Sequence, residues 1–241
     1  MGARFRFRSS QHDSKVRPVL PLGITDQFCG YLWIMSALRR SAASVGAGYL
    51  LGTLPSARLA TRLLSPRGPS ITQRGSGNPG AANVKDELGK KVGAAVMAAD
   101  VGKAVAASAV GRSLVGVAGG HVAGTAAVVG HCYPIWSGFR NGGKGVATSM
   151  GQMLATFPAY APVDVGLATI MAKSSFWRDR QTESTAVACA LWVGLGALWW
   201  RRDLPNLWGG RPSAGMPVAA AISSAVILKR FKDEEVVGDS P

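Results

Sequence analysis

The sequence predicts an all-α fold, a multi-pass transmembrane helical bundle of six or seven spans with short or broken helices. Three observations predict it. Hydrophobic residues make up 47% of the 241 residues and charged residues only 17%, against roughly 25% charge in soluble domains. The mean hydropathy is positive, at +0.16. The 31 glycines sit inside apolar runs rich in alanine and valine, where small residues let helices approach closely in lipid.

Residues 1–18 are polar and basic, with Arg4, Arg6, Arg8, Lys15 and Arg17. Residues 19–38 are moderately apolar but interrupted by Asp26 and Gln27, and no small-residue cleavage site of a signal peptide follows them. Met35 precedes the main apolar region. The expected organisation is therefore a basic extension over 1–41, disordered or a misassigned start, a membrane domain over 42–232 and a polar tail over 233–241.

The first span is expected at 42–64, broken by Pro55, with Arg58 and Arg62 snorkelling near its end. A polar loop, 65–91, follows. Segments 92–110 and 114–133 are the next spans, joined at 111–113, and 137–145 is a tight polar loop. Residues 146–172 contain Pro158, Pro162 and Asp164, which suggests two short helices rather than one straight span. Segments 186–200, ended by Arg201 and Arg202, and 214–228 complete the set. Counting 146–172 once or twice gives six or seven spans. The positive-inside tendency puts loops 65–91, 137–145 and 173–183 on one face with Lys229, Arg230 and Lys232, leaving Arg201, Arg202, Arg211 and the basic N-terminus opposite. Trp136, Trp177, Trp199, Trp200 and Trp208 lie near segment ends, as an interfacial belt requires.

The net charge of +14 fits either nucleic acid or anionic headgroups. The basic residues cluster between apolar segments and near the termini, with no basic face interleaved with aromatics. Membrane lipids are therefore the expected partner, and no nucleic acid. Cys29, Cys132 and Cys189 are far apart and form no CxxC pair, so neither a disulfide framework nor a zinc site is expected. With His12, His121 and His131 as the histidines, no metal centre is expected either.

Two loops carry the chemistry. The first contains Arg74, Gly75, Ser76, Gly77, Asn78, Pro79, Gly80 and, further on, Asn83. Its glycines let consecutive N–H groups point at one anion, with Ser76, Asn78 and Asn83 as side-chain donors. Alone, such a stretch reads as readily as a flexible turn. The second contains Gly142, Gly143, Lys144 and Gly145, then Thr148 in the opening of an apolar helix. Backbone donors, a lysine and the positive end of a helix meet there. A nucleotide-binding P-loop is excluded, because Gly145 stands where Ser or Thr must hold magnesium and no βαβ unit surrounds it.

Between the loops, Asp100 and Lys103 share one face of an apolar helix. A charged pair there is costly unless it faces a polar cavity or pairs internally, so a functional role and a structural ion pair are both open. His131 fits a general base or a cap beside a tight turn. His121, on an Ala/Gly-rich helix, fits a structural hydrogen bond.

Taken together, residues 75–83, Asp100 with Lys103, Gly130, His131 and Pro134, and Phe139 through Gly142, Gly143, Lys144, Gly145 and Thr148 resemble the bacterial acyl-phosphate:glycerol-3-phosphate acyltransferases (PlsY type). Residues 49–55 are similar to that family's first helix, and the resemblance covers about 44–232. It implies a seven-helix enzyme of the plasma membrane with its active site facing the cytosol. Such an enzyme moves a fatty acyl group from acyl phosphate to the 1-hydroxyl of glycerol 3-phosphate, giving lysophosphatidic acid. It implies that Ser76, Gly77 and Asn78 hold the acyl phosphate, that Gly142, Gly143, Lys144 and Thr148 complete the phosphate site, with Gly75, Asn83, His131 and Gly145 beside them, and that Lys103 helps bind glycerol phosphate. Asp100 orients the hydroxyl or helps deprotonate it, so Asp100 and Ser76 are the expected catalytic residues. The donor is already activated, so neither a covalent enzyme nucleophile nor a cofactor is expected. Asp86 stands where the family carries arginine, and 227–235 lacks the family's histidine and asparagine. The competing reading is a weakly catalytic homologue that binds lipid phosphates or a partner protein.

Overall fold

The computed structural model describes the backbone of residues 24–177 and 179–238, with side chains from Gly30 to Glu234 apart from Arg178. The described residues are helices and connecting turns, with no strand. The expectations for residues 1–23, and for the last residues of the polar tail, lie outside the described residues. The chain divides into two compact units, Met1–Ser36 and Ala37–Pro241. In the first, residues 24–36 are the opening turns of α1 (Ile24–Gly52).

The second unit carries α1 to its end, then α2 (Ser56–Leu64), α3 (Ala81–Leu88), α4 (Lys90–Val115), α5 (Val117–Cys132), α6 (Val146–Thr156), α7 (Ala161–Lys173), α8 (Gln181–Arg202) and α9 (Gly215–Gly238). The span expected at 42–64 is thus two helices. Pro55 has no N–H to continue a ladder, and the chain turns between Gly52 and Ser56. The joint expected at 111–113 falls later, at Gly116, whose φ of +72° ends α4 and starts α5. Residues 146–172 do break in two: α6 and the 158–173 segment are bent by 116°, where Pro158 and Pro162 cannot extend the preceding helix. Among the described helices, α4 is long and apolar enough by itself to cross a membrane, and that bent pair passes the same test together. The charges on α1, α8 and α9 and the shortness of α5, 16 residues, separate the rest from that group.

α4 and α5 form an antiparallel pair; α6 packs on both, and α9 packs on α5 and α8. In lipid such contacts come from close packing and interhelical hydrogen bonds rather than from expelled water. The contact of α1 with α5 shows how. Ser44, Gly48 and Gly52, four apart on α1, face Gly119, Ala123 and Ala127, four apart on α5. The Ser44 hydroxyl donates to the Gly119 carbonyl at 3.2 Å, and a Cβ at Gly48 or Gly52 would run into the backbone of Ala123 or Ala127. The fully buried Gln152 ties three helices: its Nε2 donates to Thr125 Oγ1 at 3.0 Å and its Oε1 accepts from Ser223 Oγ at 2.7 Å. Each such bond is worth roughly 0.6–2 kcal/mol in lipid. An aromatic layer of Phe157, Tyr160 and Trp192 fills the space between α6, α8 and α9.

These pairings gather one end of the bundle around the site. The end of α1, the N-terminal half of α4, the last turn of α5, the loop into α6, the start of α8 and the end of α9 meet there. The connection 203–214 lies with the α4–α5 turn instead: Arg112 donates to the Trp208 carbonyl at 2.7 Å.

Candidate functional site

Asp100 and Lys103, one turn apart on α4, point at the end of α1 and the last turn of α5. Lys103 Nζ lies 2.9 Å from Asp100 Oδ1, donates to the Leu54 carbonyl at 3.2 Å and to His131 Nδ1 at 2.7 Å. Asp100 Oδ1 also accepts from the Ser56 hydroxyl at 2.7 Å. Asp100, Lys103 and His131 are only 2%, 7% and 9% exposed, so the charges must be compensated inside the protein. They are: the ammonium finds an acceptor for each of its N–H bonds. Because His131 accepts at Nδ1, a neutral ring carries its proton on Nε2, a tautomer inferred from this network. Nε2 faces Gly143, where any Cβ would overlap the ring. That contact explains why a glycine must stand at 143.

In the first loop, Asn83 is a brace. Its Nδ2 donates to the carbonyls of Ile71, Arg74 and Asn78 at 3.2, 3.0 and 3.1 Å, and its Oδ1 accepts the Ser76 N–H at 3.1 Å. The amide expected to meet a ligand is thus committed to the loop's own backbone. Gly75, at φ +52°, lies against that amide, where a Cβ would meet Asn83 Oδ1. Below, Ile71 and Val84 are fully buried with Val96 and Ala57, each large side chain contributing about 1.5–3 kcal/mol. Ser76 and Gly77 stay at the surface of the loop. Arg74 turns away from it, donating to Ser65 Oγ at 3.0 Å and the Pro69 carbonyl at 2.9 Å. Asp86 sits on the outer side of α3, paired with Lys85 at 3.3 Å, and lines neither cavity described below.

The second loop is stitched to α5 and α9. The Gly143 N–H donates to the His131 carbonyl at 3.2 Å, and Gly145, at φ +88°, opens α6. Arg230 on α9 donates to the Gly142 carbonyl at 2.8 Å. Glu234, one turn on, accepts from Asn78 Nδ2 at 2.5 Å and pairs with Lys144 at 3.1 Å. Lys144 also lies 4.4 Å over the Phe231 ring. The C-terminal segment without histidine and asparagine thus joins the two glycine loops. Thr148 is fully buried on α6 and lines neither cavity, its hydroxyl unpaired among the described residues.

Two adjoining cavities result. A cleft lies over Asp100 and His131, walled by Ser56, Arg58, Trp136 and Gly143. An open polar basin lies beside it, lined by Ser76, Gly77, Asn78, Lys144 and Arg230. Pro79, Asn141 and Gly142 belong to both. A separate apolar groove runs from Val146 between α6, α7 and α8. An anion in the basin would meet loop amides and Lys144, and a hydroxyl in the cleft would meet Asp100 and His131. Sequence reasoning missed Ser56, Arg230 and Glu234. It read Arg58 only as a side chain snorkelling near a helix end, and the structure places it in the cleft wall. A Ser–x–Arg just past a helix-ending proline was the signal available.

Residues 42–235 match the family model described as glycerol-3-phosphate acyltransferase. The chain is 39% identical over 169 residues to a glycerol-3-phosphate acyltransferase of Maricaulis maris, covering 70% of this chain and 74% of that one. It is 37% identical over 194 residues to another from Allorhizobium ampelinum, covering 77% and 81%. Among solved structures it is similar to PlsY (YgiH), an integral membrane glycerol 3-phosphate acyltransferase in its glycerol 3-phosphate form, with a TM-score of 0.62, 25% identity and coverage of 83% of this chain and 94% of that one. The helices, the paired glycine loops and the match over most of the length lead to one conclusion: this chain is a membrane protein belonging to the glycerol-3-phosphate acyltransferase family.

Proposed function

We propose that this protein transfers a fatty acyl group from acyl phosphate to the 1-hydroxyl of glycerol 3-phosphate, giving lysophosphatidic acid for phospholipid synthesis. The observation that carries the reading is the adjacency of the two cavities: a loop-lined basin suited to an acyl phosphate opens onto a cleft whose floor is Asp100. The donor's phosphate lies against Ser76, Gly77, Asn78, Lys144 and the amides near Gly142 and Gly143. Its chain extends toward the apolar groove that starts at Val146, next to Gly145. The acceptor hydroxyl is oriented by Asp100, with Lys103 and His131 holding that carboxylate in place. The hydroxyl oxygen bonds to the acyl carbon, the bond from that carbon to the phosphate oxygen breaks, and the hydroxyl proton passes to the departing phosphate or to Asp100. Positioning and neutralising the phosphate supply most of the acceleration, because the acyl group arrives activated.

The same reading makes the chain multi-pass, with six or seven crossings, in the bacterial plasma membrane and with the site facing the cytoplasm. The basic residues gathered at the site end, Lys144, Arg140, Lys229 and Arg230, support that side through the positive-inside tendency. Relatives that bear the acyltransferase name at 37% and 39% identity favour an active enzyme over a silent binding homologue.

The test is purified protein given labelled acyl phosphate and glycerol 3-phosphate. Lysophosphatidic acid should form, and Asp100→Asn and Ser76→Ala should each cut its rate by a factor of about 100, the scale of losing a positioned catalytic group. Product at the level of the Asp100→Asn control from the unaltered protein would sink the reading.

A further inference from the structure

Cations around the two cavities differ in how far the protein already occupies them. Lys103 is held by Asp100, Leu54 and His131. Lys144 is held by Glu234 and the Phe231 ring, and Arg230 by the Gly142 carbonyl and Glu234. Arg74 faces Ser65 and Pro69, and Arg140 lines the basin but not the cleft over Asp100. Arg58, in the first turn of α2, lines the cleft over Asp100, and its guanidinium makes a long hydrogen bond, 3.4 Å from Nη2 to the Asn141 carbonyl. Its remaining N–H groups form a fork of the shape that grips a phosphate. A phosphorylated acceptor entering this cleft brings further negative charge beside Asp100, whose own charge Lys103 already balances, so the phosphate needs a cation of its own.

We propose that Arg58 selects the acceptor by its phosphate: the guanidinium binds the phosphate monoester end of a small polyol phosphate in the cleft and leaves the hydroxyl end to Asp100. This rests on the acyltransferase reading for the identity of the acceptor. It assigns a role to a residue of α2, outside both glycine loops, and it explains how acidic Asp86, turned outward on α3, leaves the cleft with a positive charge. Asn141, whose carbonyl touches Arg58, places the guanidinium at the border between cleft and basin.

Equilibrium binding of labelled glycerol 3-phosphate to the purified full-length protein, without acyl donor, tests the proposal. Arg58→Gln keeps a donor for the Asn141 carbonyl but removes the charge, and it should weaken binding at least tenfold, with Arg58→Lys in between. Inorganic phosphate should displace glycerol 3-phosphate from the wild type and compete correspondingly less well with the Arg58→Gln protein. In turnover, Arg58→Gln should raise the KM for glycerol 3-phosphate by a similar factor while the KM for acyl phosphate stays within threefold, which also shows that the variant is folded. Binding within twofold of wild type in Arg58→Gln overturns the proposal, as does a wild type that binds no glycerol 3-phosphate. The two readings fail separately. Binding that depends on Arg58 without lysophosphatidic acid formation leaves Arg58 standing and removes the acyl transfer. Acyl transfer with an acceptor KM indifferent to residue 58 does the reverse.

Discussion

Lys103 carries its charge into the interior, only 7% exposed, and every N–H of its ammonium has an acceptor in the protein. Taking away one partner of such a pair strands the other charge, at about 3–5 kcal/mol. Lys103→Met should therefore lower the stability of the purified protein by that amount, read as a lower thermal unfolding temperature in detergent. The double variant Asp100→Asn with Lys103→Met should recover part of the loss, because no carboxylate is left stranded. A double variant no more stable than the single one would remove the ion pair as the cause. Opposite charges three apart in an apolar run made this pair legible in the sequence. Ser56 was not legible: it reaches Asp100 across 44 positions, and a lone serine after a proline has no periodicity to give it away. Asn83 was recognised as belonging to the loop, but its direction depends on three carbonyls that only the folded loop brings together.

At the level of elements, α1 and α5 fit because small residues recur every four positions on both. Gly52→Leu places a branched side chain into the backbone of Ala127. Overpacking of this kind costs about 1–3 kcal/mol or more, and here it also shifts the end of α1 that carries the Leu54 carbonyl to Lys103. The expected result is a lower unfolding temperature together with loss of acyl transfer, whereas Gly46→Leu, where a Cβ would meet nothing, should change neither. Equal damage from the two would show that the α1–α5 contact is not selective. The end of α9 was poorly legible. Hydropathy ends the segment at 228, yet the helix continues, sustained by pairs four apart between Lys229 and Asp233 and between Arg230 and Glu234. A polar helix face that meets polar loops leaves no mark in an apolar pattern.

For the molecule as a whole, the loops before α4, α6 and α8 and the end of α9 share one end, while 203–214 sits at the other. Single cysteines placed by Arg67→Cys, Lys173→Cys and Arg211→Cys, in a background with Cys29, Cys132 and Cys189 changed to Ser, report this in sealed vesicles. An impermeant thiol reagent should reach positions 67 and 173 from one side and 211 from the other. Labelling of all three from one side would dismiss the arrangement. The general class and the paired loops were legible because glycine and charge stand out against an apolar background; the number of crossings was not, because broken and charged helices blur the hydropathy. The anchoring of Lys103 has a last consequence for how ligands arrive. Immobilising a lysine side chain costs about 2 kcal/mol in rotamer entropy, and here folding has already met that cost. Ligand encounter should then resemble docking onto a rigid receptor, with association set by diffusion and orientation rather than by rearrangement of the floor of the cleft.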